Sequence, residues 1–344
     1  MESIVNIKLD DIQWSQATLP INDGGLGIRR VSSLASSAYL ASAAFTAELQ
    51  TALLSKCSVS SDSHIDFLLE IRHDSLPSSI DLLPTKQRIW DRPVVEQSKT
   101  LIWATYVNPI HRTRLAAVTS PHSGDWLAAL PIPSCGLCLD NEAIRVAIGL
   151  RLGLELCRNH PCRCGEIVGN DGHHGLVCRL AYGRSRRHFE INDIIWRALQ
   201  NADVPSSKEP TGLLRSDGKR PDGATLIPWS AGKYLTWDAT VVHTCAASYI
   251  SNANPAAEQA AQNKYLKYAG IPSTHVFVPI AFETLGRINS AGIDFLNDLG
   301  GRLSNISGEQ LDAKFLFQRI SVCIQRYNAV AFRGSFIDIN ETEA

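Results

Sequence analysis

The chain has 344 residues, 44% of them hydrophobic and 19% charged, so it can bury a sizeable core and is not disordered, collagen-like or a coiled coil. Its 33 basic and 34 acidic residues leave a net charge of −1, which excludes a wholesale polycation. The nine cysteines are odd in number and the opening MESIVNIKLDDIQ lacks the basic-then-apolar order of a signal peptide. An intracellular, reducing setting without a disulfide framework is therefore expected.

The first third reads helical, with an Ala/Ser/Leu-rich stretch at 32–55 and a second helical stretch at 84–118. Residues 119–136 are rich in Pro, Ser and Gly and read as a connection. In LDNEAIRVAIGLRLGLEL, Ile144, Ile148, Leu152 and Leu156 recur four apart on one helix face, with Asp140 or Asn141 as the N-cap. The apolar run from Val146 to Leu156 is interrupted by Arg151 and is too short to cross a membrane, which needs ~18 residues. A cysteine cluster follows, and then the order becomes mixed. Ile191, Ile194, Ile195, Ala198 and Leu199 mark a helix over 186–201. Segments 221–228 and 234–243 read as strands of a hairpin around Ser230-Ala231-Gly232-Lys233. Pro255 opens a helix that ends at Gly270, HVFVPIAFE (275–283) reads as a buried strand, and two helices at 290–303 and 309–330 close the chain.

The segment CRNHPCRCGEIVGNDGHHGLVC holds two ligand pairs joined by glycine-rich turns, Cys162 with Cys164 and His173 with Cys178. Four such ligands suit a closed, tetrahedral, structural zinc site, with Cys157, His160 and His174 as surplus candidates. Cys135 and Cys138 form a lone CxxC without a second pair.

In KRPDGATLIPWSAGKYLTWDATVVH, Asp222 opens the first strand of the hairpin and Asp238 sits inside the second. A carboxylate in a β-branched, aromatic strand is destabilising unless it is paired or ligates a metal. Two such acids can hold Mg²⁺. A tight Ala231-Gly232 turn would pair Thr225 with Asp238 and turn Asp222 to the other face, so a bulge is required, and Pro228 is a place for one. Thr240 stands two residues after Asp238, where the PD-(D/E)XK nuclease pattern has lysine. Lys264, Lys267 and Tyr268 share a face of the following helix with Ala257, Ala260 and Ala261, so a cation can reach the acids from there. These lysines read as exposed, so removing one is expected to leave the fold intact.

Residues 157–220 carry eleven Lys/Arg against seven Asp/Glu, between acidic flanks, which points to a polyanion. Arg184, Arg186, Arg187 and His188, with Lys219 and Arg220 beside Asp222, are the candidate nucleic-acid contacts. Glu283 is a candidate third acid or a cap.

Together these segments resemble the C-terminal region of non-LTR retrotransposon polyproteins that carry a restriction-like endonuclease. The resemblance rests on Cys162-x-Cys164-x8-His173-x4-Cys178, on Arg187-His188 with Asn192, on RPD at 220–222, on Asp238 and on Lys264, Lys267 and Tyr268. LPINDGGLGIRR (19–30) is similar to the segment trailing the reverse transcriptase in such elements. The resemblance implies an α+β or α/β chain with five parts: a helical segment (1–55), a helical linker region (56–150), a CCHC zinc knuckle (151–182), an α-β-β-α-β endonuclease domain (183–332) and a tail (333–344). It implies a Mg²⁺-dependent DNA nick by Asp222, Asp238, Lys264, Lys267 and Tyr268, with structural zinc. DNA and element RNA are the implied partners, and the nucleus the implied location. No aromatic-x-Asp-Asp polymerase motif occurs, so a fragment without the polymerase site is expected. The rival expectations are a non-cutting nucleic-acid-binding remnant and a resolvase-like cellular nuclease. Neither a membrane nor a small-molecule substrate is expected.

Overall fold

The computed structural model describes residues 2–54, 84–213, 218–250 and 254–336. Residue 55 of the expected first segment, residues 56–83 of the expected helical linker and the end of the expected tail, 337–344, lie outside the described residues. The chain is mixed α+β. Its labelled helices are α1 (Asp11–Thr18), α2 (Val31–Leu54), α3 (Gln87–Thr105), α4 (Pro109–Val118) and α5 (Asn141–Leu152). They continue as α6 (His173–Val177), α7 (Tyr182–Asn201), α8 (Ala256–Lys267), α9 (Ser290–Ser307) and α10 (Asp312–Arg333). No helix among the described residues is long and apolar enough to cross a membrane.

Local chemistry sets several boundaries. Asp10 and Gln13 cap α1 reciprocally, side chain to backbone in both directions. Asp140 accepts from the Ala143 N–H and starts α5, whereas Asn141 is its first helical residue. The periodic run toward Leu156 does not stay helical to its end. Gly153 adopts φ +71° and caps α5, and Leu156 folds back from the following loop against Gly149. Leu156 reaches the core through a turn and not through a fourth helical repeat.

Two sheets form. A small antiparallel pair joins β1 (His160–Pro161) to β2 (Ile167–Val168). The larger sheet has the order β3-β4-β5-β6, from Ser206–Lys208, Gly223–Ser230, Lys233–Val242 and His275–Glu283. Its first two pairings are antiparallel and β5 pairs β6 in parallel. Strand β3 is short and polar and has no periodic signature in the sequence. The expected helix–hairpin–helix–strand order is present as α7, β4–β5, α8 and β6.

α10 contributes to three of the apolar clusters among the described residues. Ile320 and Ile324 join α7, β5, β6 and α9; Phe332 joins α4, α5 and the cysteine segment; Val322 joins the N-terminal segment. Val5, Leu9, Ala17 and Leu26 of the N-terminal segment thus share a cluster with α10.

The hairpin contains the required irregularity. Near the turn Ser230 opposes Lys233, but at the far end Gly223 opposes Trp237, with register shifts on both sides of Pro228. The shift totals three residues, an odd number, which reverses the side on which Asp222 falls. Gly223 lies flat against the Trp237 indole, and a Cβ there would be driven into the ring. Gly223→Ala should lower stability by about 1–3 kcal/mol through overpacking. Urea unfolding checks this, and an unchanged midpoint would show that the indole can move aside.

Candidate functional site: an acid pair and a cysteine–histidine cluster

Asp238 is 3% exposed, on the face of β5 that meets α8. That face is lined with small groups: Ala257, Ala260 and Ala261 pack on Ala281 and Val242. The close approach brings the C-terminal turn of α8 to the carboxylate. Lys264 Nζ donates to Asp238 Oδ1. The Tyr268 hydroxyl lies 2.5 Å from Asp238 Oδ2 and 2.8 Å from the Arg220 carbonyl oxygen. Lys267 Nζ donates to the Tyr268 oxygen at 2.8 Å and stands 3.8 Å from Asp238 Oδ2. The five residues Asp222, Asp238, Lys264, Lys267 and Tyr268 thus converge at one end of the hairpin.

The lysines are less exposed than the sequence implies. Lys264 keeps 22% of its side-chain surface and is paired with a nearly buried acid. The expectation that its removal spares the fold is therefore corrected. Removing one partner of a buried pair leaves the other charge uncompensated.

Asp222 lies just before β4, where the ladder to β5 ends. Its Oδ2 accepts from the Ala239 N–H at 2.6 Å and from His188 Nε2 at 3.1 Å. His188 Nε2 also faces the Ala239 carbonyl oxygen at 3.0 Å. Both partners are acceptors, so Nε2 carries the proton. The hydrogen bond to Asp222 raises the His188 pKa above the ordinary imidazole value, against burial, which lowers it. Placed beside the apolar stripe of α7, His188 is a margin residue by helical wheel alone, and only the hairpin register makes it a partner of Asp222. Asn192, one turn on, accepts from the buried Trp237 indole N–H at 2.8 Å.

The expected patch of Arg184, Arg186 and Arg187 is divided by the helix. Arg184 is exposed and donates to the Val177 carbonyl, and Arg186 is exposed and pairs with Glu190 at 2.9 Å. Arg187 is 1% exposed, donates to Asn328 Oδ1, and leaves Nε buried without a hydrogen-bond partner. Burial lowers its pKa to about 10. The reading of Arg187 as a solvent-facing contact is thus corrected, because its position on α7 points it into the packing with α10. It still lines a cleft of about 430 Å³ with Arg179, Arg184, His188 and Thr240. Lys219 and Arg220 are exposed at the approach to Asp222. Glu283 is buried and accepts from the Ala257 N–H at 3.0 Å, which makes it a cap of α8; burial raises its pKa.

Cys162, Cys164, His174 and Cys178 form a group whose ligand atoms all lie within 4.8 Å of one another. This group can hold a metal ion. Cys162 and Cys178 sulfurs are 3.7 Å apart, and Cys164 Sγ is 3.2 Å from His174 Nε2. The histidine is His174 and not the expected His173. His174 and Cys178 are four apart and share a face of the turn begun by α6, whereas His173 is rotated away. His173 Nδ1 lies 3.3 Å from Asp171, and its ring meets His243 edge-on. Of the surplus candidates, Cys157 donates to the Gly169 carbonyl and His160 stacks on Phe336. Burial pushes the Cys162 thiol up to about 11, so a nearby cation is what would favour its thiolate form.

No protein-family model matches the chain, and no curated protein matches it either.

The geometry separates the two histidines. His174→Ala should abolish retention of a tightly bound metal ion by the purified protein, while His173→Ala should keep it. Elemental analysis of both variants checks this; equal metal content would overturn the assignment.

Proposed function

We propose that the chain is a Mg²⁺-dependent DNA endonuclease of the restriction-like kind, from the C-terminal region of a non-LTR retrotransposon polyprotein. The observation that carries the reading is the meeting of Asp238 with Lys264, Lys267 and Tyr268 beside Asp222, on a helix–hairpin–helix–strand frame. A lysine absent from position 240 is replaced by one from the neighbouring helix.

Oxygen ligands from two carboxylates suit a hard divalent cation, and Asp222 has an oxygen beyond the one used by His188 and Ala239. Asp222 and Asp238 would hold Mg²⁺, which supplies an activated water and neutralises charge on the phosphate. The chain's own groups do the positioning. His188 fixes Asp222, and Tyr268 with Lys267 fixes Asp238. Lys264 places a cation where negative charge develops during phosphodiester hydrolysis. Arg179 and Arg184, in the cleft beside His188, receive the DNA backbone.

The cysteine–histidine group reads as structural zinc. Four protein ligands close the coordination shell, and Zn–S bonds of about 2.3 Å set tetrahedral S···S edges near 3.8 Å. The 3.7 Å separation of Cys162 and Cys178 agrees with that edge. DNA as substrate, element RNA as a further partner and a nuclear location follow from the same reading.

A rival reading has one observation in its favour. Both oxygens of Asp238 are already engaged, by Lys264 and by Tyr268, as in a structural ion pair. On that reading the chain binds nucleic acid and does not cut.

Supercoiled plasmid separates the two. The nuclease reading expects Mg²⁺-dependent nicking that Asp222→Asn abolishes and that Lys264→Met slows by on the order of 10²–10³, with DNA binding retained. Circular dichroism of each variant guards against loss of fold. No nicking by folded wild-type protein in Mg²⁺ or Mn²⁺ overturns the nuclease reading and leaves the binding one.

A further inference from the structure

The residues from Val177 to Tyr182 join the cysteine–histidine group to α7 through a tight turn, in which the Ala181 N–H donates to the Cys178 carbonyl oxygen at 3.1 Å. The turn divides its side chains between interior and solvent. Cys178 and Ala181 are 5% exposed and pack in the cluster that holds Phe332. Tyr182 is 71% exposed, Leu180 62% and Val177 38%. Single apolar residues are ordinary on a surface, but three this close in the chain form a patch. Arg184 Nη1 donates to the Val177 and Cys178 carbonyl oxygens at 2.8 and 3.3 Å, which ties the first turn of α7 back to Val177. None of the three apolar side chains reaches the interior, so polar residues would serve the turn equally well.

The charge around the patch is of one sign. From Gly172 to Phe189 the chain has four arginines and no Asp or Glu. Arg187 is buried, whereas Arg179, Arg184 and Arg186 are exposed. Arg186 is paired with Glu190. Arg179 and Arg184 also line the cleft beside His188, so the patch continues into that cleft. A DNA strand with its backbone in the cleft has Leu180 and Tyr182 at its flank.

Apolar side chains among arginines suit a polyanion that also has apolar faces. Unpaired nucleobases offer such faces. In a duplex they are stacked on one another, and only the backbone and the groove edges are presented. An exposed aromatic ring takes up an unpaired base by stacking on it. Among the described residues no second ring and no cation covers the ring of Tyr182. Phe189 shows the contrast, because Arg186 and Lys208 stand over its ring at 5.5 and 5.4 Å.

We propose that Tyr182, with Leu180 beside it, stacks an unpaired base of a DNA strand whose backbone lies in the cleft next to His188. The proposal rests on the reading of DNA as the partner and is independent of whether the chain cuts it. The preferred ligand is then DNA with an unpaired stretch and not a blunt duplex.

Fluorescence anisotropy on the full chain, without added Mg²⁺, measures this binding apart from any cleavage. The ligands are a labelled blunt duplex, the same duplex with an unpaired thymine tail at its 3′ or its 5′ end, and the same tails built from abasic nucleotides. Abasic tails keep the phosphates and lack the bases. Wild type should bind a thymine-tailed duplex at least about fivefold more tightly than the blunt one, the strength of a single base–ring stack. Tyr182→Ala should remove that advantage and leave the affinity for blunt duplex unchanged, while Tyr182→Phe should keep it. If Tyr182→Ala does not fold by circular dichroism, the abasic tails decide, and they should bind wild type no better than the blunt duplex does. The proposal is overturned if blunt and tailed duplexes bind alike, if abasic tails bind as well as thymine tails, or if folded Tyr182→Ala keeps the preference. Binding of labelled poly-glutamate with the same dependence on Tyr182 would overturn it as well, and would assign the patch to an acidic polypeptide. Failure of plasmid nicking bears on the nuclease reading alone.

Discussion

The fold depends on α10 being buried from several sides at once. A helix of 22 residues at the end of the chain supplies Leu316, Phe317, Ile320 and Ile324 to one cluster, Phe332 to a second and Val322 to a third. Its polar residues on the buried side are also spoken for. Asn328 accepts from Arg187 and donates to the Thr284 carbonyl, which Gln325 also reaches. The helix that presents His188 and the corner after β6 are therefore tied to one element. The cysteine–histidine group is tied to it as well, because Cys162 and Cys178 pack in the cluster that holds Phe332. The spacing between the acid pair and the cysteine–histidine group is set by this helix and not by the 179–181 connection alone.

The second constraint is parity. A strand alternates its side chains with period two, so a register change by an even number of residues would leave Asp222 facing away from Asp238. The three-residue change across Pro228 reverses that. Proline and irregular pairing are ordinarily weaknesses in a sheet interior. Here they place one carboxylate where the Ala239 N–H and His188 meet it and leave the other against α8.

Much of this was legible because it follows from local period. The repeat of Ile191, Ile195 and Leu199 defines α7, and the β-branched run at 275–283 defines β6. The convergence of Lys264 and Tyr268 on Asp238 was also accessible, since the alanine stripe of α8 states which side approaches the sheet. What the sequence withheld depends on orientation and burial. Adjacent histidines at 173 and 174 differ by about 100° on a helix, and only the fold shows which one faces the cysteines. Three arginines in four positions look like one patch, yet helical rotation turns Arg187 into the interior. Leu156 continues a four-residue period that Gly153 breaks by adopting positive φ.

Thr240 brings these constraints together. Residues 238 and 240 point to the same side of β5. A lysine at 240 would extend from that side toward the space that the cleft beside His188 now occupies, and Thr240 lines that cleft. A short side chain keeps the cleft open, while Lys264 supplies the ammonium from α8 on the other flank of Asp238. The cation and the opening are then provided by different elements, which one residue at 240 could not do. The arrangement works only if α8 lies close to the sheet. Any larger residue at Ala257, Ala260 or Ala261 would lift the helix and withdraw Lys264 from the carboxylate. The small residues of α8 and the small residue at 240 are thus two parts of one steric solution.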